Sequence, residues 1–207
     1  MGQLIACATA AGVMLGTDSR AEIFTPAGEE QFLQVDRLLP VASHAVLASA
    51  GAVEGIELCK RFADFAQDEQ LTDIDALIEA APPFFVGVYD EFLRKMCEKL
   101  PVDPLLSLYL VLAGFSSKTP DRPTRLFIMW NRVQPPKIES NHVTPIFTLP
   151  RRMGLEFKLN QMVSQNAPLA EIVGAARAGM EKLAAKDEFI GGPYKFITIT
   201  AQGINPA

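Results

Sequence analysis

The order of apolar runs in this 207-residue sequence predicts an α+β fold in which two stacked, mainly antiparallel sheets carry helices on their outer faces. Three observations predict it. Strand-like runs fill the N-terminal third, helical stretches follow, and strands then return before a long helix and a closing strand. That order is not a βαβ alternation, so a doubly wound parallel sheet is not expected. The run from Leu105 to Ala113 is almost continuously apolar, as expected of a strand covered on both faces. Finally, 49% hydrophobic and 21% charged residues in one chain of this length suit a single domain, 1–207, with a substantial core.

Taken in order, Leu4 to Thr9 is a short apolar run, Ala10-Ala11-Gly12 turns, and Val13 to Thr17 is a second run ending in Asp18-Ser19-Arg20. A loop bearing Pro26 and Gly28 is expected next. Arg37 to Val41 and Ala45 to Ser49 are two further strands around a Ser43-His44 turn, with Pro40 suited to an edge or a strand end. From Ala52 the apolar period becomes helical, through Val53, Ile56, Phe62 and Phe65. Thr72 is expected to open a second helix, with Asp73 and Asp75 favouring its N-terminal dipole. Pro82-Pro83 should break or kink it before the stripe resumes at Phe85, Tyr89, Phe92, Leu93 and Met96. Leu126 to Trp130 and Thr144 to Thr148 read as strands, Leu155 to Val163 and Pro168 to Lys186 as helices, and Tyr194 to Thr200 as the last strand.

The net charge of −5 argues against a nucleic-acid or anionic-membrane partner, both of which need a cationic face. No apolar run approaches the roughly 20 residues of a membrane span. Met1 to Ile5 carry no cationic stretch, so no secretory signal is expected. Gly2 invites an N-myristoylation reading, but Ala6 stands where that motif wants Ser or Thr. Cys7, Cys59 and Cys97 are far apart and odd in number, which suits small core residues in a reducing cytoplasm rather than a zinc site or a disulfide framework. His44 and His142 have no metal-ligand partner at helical or hairpin spacing. Glu29-Glu30 and Asp68-Glu69 read as solvated charges. No metal and no cofactor are expected.

Several segments in register resemble the proteasome β-type subunits, members of the N-terminal-nucleophile hydrolases. Leu4 through Arg20 resembles their opening of two short strands and an Asp-Ser-Arg-like ending. Arg37 to Val41 resembles their basic-residue-led third strand, and Ser49-Ala50-Gly51 their Ala-Gly at the mouth of the first helix. Ala167 to Asp187 resembles their last long helix, and Gly191-Gly192 followed by a run to Gly203 their closing strand. The resemblance implies a four-layer αββα sandwich. It also implies a chemistry in which a terminal threonine hydroxyl attacks a peptide carbonyl, an amine moves the proton and a backbone N–H steadies the oxyanion.

Carried over residue by residue, the resemblance puts Gly2 at the nucleophile position, where no hydroxyl is available. Asp18 matches the acidic residue that holds the family's lysine, with Arg20 as its accompanying arginine. Arg37 falls at that lysine's place, three residues further along. It keeps the charge, but with a pKa above about 12 it cannot shuttle protons near neutral pH. Gly51 matches the oxyanion donor, and Asp187 the aspartate near the site. Ile190 and Pro150 stand where the family places supporting serines. Cleavage before Cys7 or Thr9 would expose a nucleophile but delete most of the first strand.

The expected function is therefore that of a non-catalytic proteasome β-like subunit with a structural or interaction role. It would self-associate or join related subunits, with a peptide as a further ligand. The alternatives are an active threonine-type peptidase or amidase with an unrecognised maturation, a gate-forming α-type subunit, and a binding domain with a small-molecule pocket between its sheets. The α-type reading is disfavoured because this chain begins almost at its first strand.

Overall fold

A computed structural model describes residues 2–24, 30–97, 108–133, 136–143 and 145–207. Its strands are β1 (Leu4–Thr9), β2 (Gly12–Thr17), β3 (Arg20–Phe24), β4 (Glu30–Gln34), β5 (Leu38–Ala42), β6 (Ala45–Gly51), β7 (Leu108–Phe115), β8 (Thr124–Val133), β9 (Pro136–His142), β10 (Ile146–Leu149), β11 (Lys195–Thr200) and β12 (Gly203–Pro206). Its helices are α1 (Gly55–Asp68), α2 (Ile74–Cys97), α3 (Met153–Ser164) and α4 (Leu169–Ala184). The fold is α+β. One five-stranded sheet runs β10-β1-β2-β11-β12, another β5-β6-β7-β8-β9, and β3 pairs with β4 alone. Every described strand pairing is antiparallel.

Side chains alternate across a strand, and here both faces of the central strands are apolar. In β1, Leu4 and Ala6 join Val46, Ala48, Val111 and Ile128 in a core shared by the two large sheets. Ile5 and Cys7, on the other face, pack with Leu159, Ile172, Ala176 and Met180 of α3 and α4. The second sheet repeats the arrangement. Leu47 of β6 and Leu108, Leu110 and Leu112 of β7 face Leu58 and Phe62 of α1 and Leu77, Ala81 and Phe85 of α2. A strand buried on both faces shows no polar alternation, which explains the continuous apolar runs in the sequence.

The structure amends several expectations. The stretch after Arg20 holds the hairpin strands β3 and β4, while Pro26, Gly28 and Glu29 lie outside the described residues. This hairpin is half exposed, with Phe32 and Leu33 open to solvent, so its apolar signal is weak. Strands β9 and β12 were not expected either. Polar Pro136–His142 is a strand because β8 offers it a free edge to pair with. Asp73, rather than Thr72, caps α2: its Oδ1 accepts the Asp75 N–H at 3.0 Å.

Of the break or kink expected at Pro82-Pro83, no break occurs, and α2 continues through both prolines. Each removes one helical N–H. Against that loss stand Leu77, Ile78, Ala81, Phe85, Val88 and Tyr89, all buried against the sheet, with the Phe62 and Phe85 rings stacked at 5.1 Å. Burial of a large apolar side chain contributes about 1.5–3 kcal/mol, so this face outweighs the lost bonds. Leu105 and Thr144, expected at strand starts, lie outside the described residues, as do the side chains of Phe92, Leu93, Met96 and Cys97. No described helix is long and apolar enough to cross a membrane.

Candidate functional site

Gly2 and Gln3 precede β1, and their position follows from its pairing. Leu4 faces Thr17 across the β1–β2 ladder. One step outward, the Asp18 N–H donates to the Gln3 carbonyl at 3.1 Å. The Gln3 N–H returns a bond to Asp18 Oδ1 at 2.8 Å. The other carboxylate oxygen, Oδ2, accepts the N–H groups of Gly191 at 3.2 Å and Arg20 at 3.3 Å. Asp18 thus ties the chain start, the end of β2 and the Gly-Gly step before β11 to one point.

Arg37 enters from the second sheet. It sits just before β5, and its carbonyl accepts the Ser49 N–H of β6 at 3.0 Å. Its Nε lies 3.9 Å from Asp18 Oδ1, and both side chains are buried. Nη2 donates to the Arg20 carbonyl at 3.1 Å. Nε and Nη1, together with Ser19 Oγ and Ser49 Oγ, are buried and have no hydrogen-bond partner among the described residues. A Cβ built on Gly2 would stand 2.6 Å from Asp18 Oδ1 and 2.9 Å from both Arg37 Nε and Nη2. Asp18 Oδ1 and the Arg37 guanidinium together therefore occupy the volume where a side chain at position 2 would begin.

Gly2, Asp18, Arg20 and Arg37 meet. Gly51 ends β6 two residues beyond Ser49, with φ +83°, a conformation that favours glycine. Asp187 is linked to the cluster indirectly. It accepts Arg152 Nη2 at 2.7 Å, and Arg152 Nε donates to Gln3 Oε1 at 2.9 Å. Ile190 is a packing residue in the core with Ile5, Cys7 and Phe196. Pro150 contributes its carbonyl, which accepts Gln3 Nε2 at 3.0 Å.

Gln3, Ser19, Arg152 and Gly191 belong to the cluster but carried no signal as site residues in the sequence. Their roles run through backbone groups or through partners about 150 to 170 residues away. Ser49 was legible only as part of Ser-Ala-Gly. The histidines sit elsewhere: His44 bonds Ser43 Oγ and the Ala201 carbonyl, and His142 packs edge-on against Phe127. Asp68 and Glu69 are exposed at the end of α1.

No family model matches the chain, and no curated protein matches it.

Chemically, the cluster is a buried ion pair rather than a proton relay. Burial pushes the Asp18 carboxyl up, opposed by the Gln3 N–H, the Arg37 charge and the N–H groups of Gly191 and Arg20. Burial likewise pulls the Arg37 guanidinium down, opposed by Asp18. An arginine remains a cation through the neutral range and offers no base. Nor is Cys7 a substitute nucleophile. It lies mid-strand, fully buried, and burial pushes its thiol up to about 12. Iodoacetamide labelling of the folded chain at neutral pH, followed by peptide mapping, should leave the Cys7 and Cys59 peptides unmodified. Labelling in urea should modify both. Because β1 lies between β10 and β2, a chain starting at Cys7 would lack half of that inner strand, and one starting at Thr9 nearly all of it.

Proposed function

We propose that this chain is a proteasome β-like subunit, with the four-layer αββα architecture of that family, whose hydrolase site has become a structural ion-pair cluster. Its role is that of a non-catalytic structural or interaction subunit in an oligomeric, proteasome-like assembly. The observation that carries this reading is the contact at Gly2. The position resembling the nucleophile has neither a hydroxyl nor room for one, because Asp18 and Arg37 fill the space around its Cα. Supporting it, the Asp18 and Arg37 positions remain in contact across the two sheets, while the proton-shuttling lysine of the family is replaced by arginine. The free, buried Cys7 and Cys59 suit the cytoplasmic location that belongs to the same proposal.

The purified chain, incubated with a mixed fluorogenic peptide library, should release no product above a heat-treated control. Light scattering should give a mass well above the monomer, alone or with a related subunit. Turnover by a chain whose N-terminal sequencing reads Thr, Ser or Cys would support the threonine-type peptidase instead. A monomer that binds no related chain would remove the assembly role.

A further inference from the structure

Among the described residues, strand β4 pairs with β3 and with no other strand, which leaves it one open edge. The Val35 N–H donates to the Ser19 carbonyl at 2.8 Å, and in the same register Leu33 faces Ala21 and Gln31 faces Ile23. Hydrogen-bonded and non-bonded pairs alternate along an antiparallel ladder, so Gln31, Leu33 and Val35 turn their N–H and C=O groups toward β3. Those of Phe32 and Gln34 point the other way, where they meet no partner among the described residues. All four side chains from Gln31 to Gln34 are exposed.

Sheet edges are ordinarily blunted against further pairing by prolines, charges or covering groups. The other edges here carry such devices. Pro40 removes an N–H from β5. Glu156 Oε1 accepts the Thr148 N–H of β10 at 2.9 Å. Strand β9 starts at Pro136 and bears Lys137 and Glu139, and β12 ends at Pro206. On the far side of the hairpin, Arg37 Nη2 holds the Arg20 carbonyl of β3 at 3.1 Å. Strand β4 has none of these: from Gln31 to Val35 there is neither a proline nor a charge.

A strand of this pattern is complementary to itself. Laid antiparallel on a second copy with Leu33 opposite Leu33, the outward groups of Phe32 meet those of Gln34, and the reverse. Each such pair closes two backbone hydrogen bonds about a two-fold axis. Leucine then meets leucine, Gln31 falls opposite Val35, and no like charges are opposed. A one-residue slip would set outward groups against inward ones and lose the bonds. We propose that β4 is the edge at which two copies of this chain join, antiparallel about Leu33, into a continuous β3-β4-β4-β3 sheet. This contact rests on the self-association proposed above and names the surface that carries it.

Light scattering of the native chain, of Leu33→Lys, of Leu33→Glu and of an equimolar mixture of the two variants tests the contact. Leu33 is 44% exposed, so both variants should keep the native circular dichroism spectrum. Either variant alone sets like charges opposite each other and should weaken association at least about tenfold. Mixed, they set opposite charges there and should regain the native mass. Leu33→Cys treated with oxidised glutathione should give a 33–33 disulfide on peptide mapping, since Cα atoms of a facing non-bonded pair lie about 4.5 Å apart. Gln31→Cys should give no 31–31 link, because those positions would lie roughly 13 Å apart along the strands. Native association by both charged variants, no recovery in the mixture, or a 31–31 link as abundant as the 33–33 link would overturn β4 as the contact and leave the assembly role standing. A native chain that stays monomeric by itself would overturn it too, and the assembly role falls with it only if no related chain binds.

Discussion

Gly2→Ala should lower the stability of the chain by the upper part of the about 1–3 kcal/mol typical of overpacking. A methyl group is ordinarily a small addition. Here the Cβ would lie 2.6 Å from Asp18 Oδ1 and 2.9 Å from two nitrogens of Arg37. Neither neighbour can step aside freely. Asp18 is held by three backbone N–H groups, and Arg37 is buried with its Nη2 on the Arg20 carbonyl. Gly2→Thr should cost more and gain no peptide hydrolysis, because its hydroxyl would be introduced beside a guanidinium that cannot accept a proton. Urea denaturation monitored by circular dichroism measures the loss. If Gly2→Ala proves as stable as the native chain, Asp18 and the guanidinium do not hold the space assigned to them.

Arg37→Met should be more damaging, at about 3–5 kcal/mol, because it leaves the Asp18 carboxylate buried without its cation. Adding Asp18→Asn should recover only part of that loss, since it removes the charge and keeps an acceptor for the Gln3 N–H but turns an amide NH2 toward the Gly191 and Arg20 N–H groups. The pH dependence follows from the direction of the Asp18 shift. Its folded-state pKa lies above the ordinary carboxylate value. The folded chain therefore binds more protons than the unfolded one across the interval between the two values. That contribution to stability is fully present below the unfolded pKa and is lost as pH rises through the folded one. Removing Arg37 removes an interaction that lowers this pKa, so in Arg37→Met the loss should extend to higher pH. Urea midpoints measured between mildly acid and neutral pH check the sign: the deficit of Arg37→Met relative to the native chain should shrink as pH falls. A deficit independent of pH would mean that Asp18 does not carry the unpaired charge.

Some of this was legible in one dimension. Gly2, Asp18, Arg20 and Arg37 were grouped only through the resemblance to proteasome β-type subunits, which implies that these positions share a site. The network behind them was not legible. Arg152 reaches Gln3 and Asp187 only because α3 starts where β10 delivers it. Gly191 reaches Asp18 through a backbone N–H that any residue would carry. The resemblance implies a serine at position 190, yet in the folded chain the burial of Ile190 with Ile5 and Phe196 gives an apolar residue its own reason to stand there.

By itself, the sequence determined the α+β class, twelve of the sixteen elements in approximate position and the chemical poverty of position 2. These depend on local periodicity and on residue identity, both of which are properties of the chain alone. The tertiary structure decided the rest. It paired polar Pro136–His142 with the open edge of β8 and carried α2 through two prolines on the strength of its buried face. It also brought the Arg37 guanidinium to within 2.9 Å of where a Gly2 side chain would begin. That last fact has no one-dimensional signature, because it is a matter of volume: glycine at position 2 leaves room for two side chains, Asp18 after β2 and Arg37 from the other sheet.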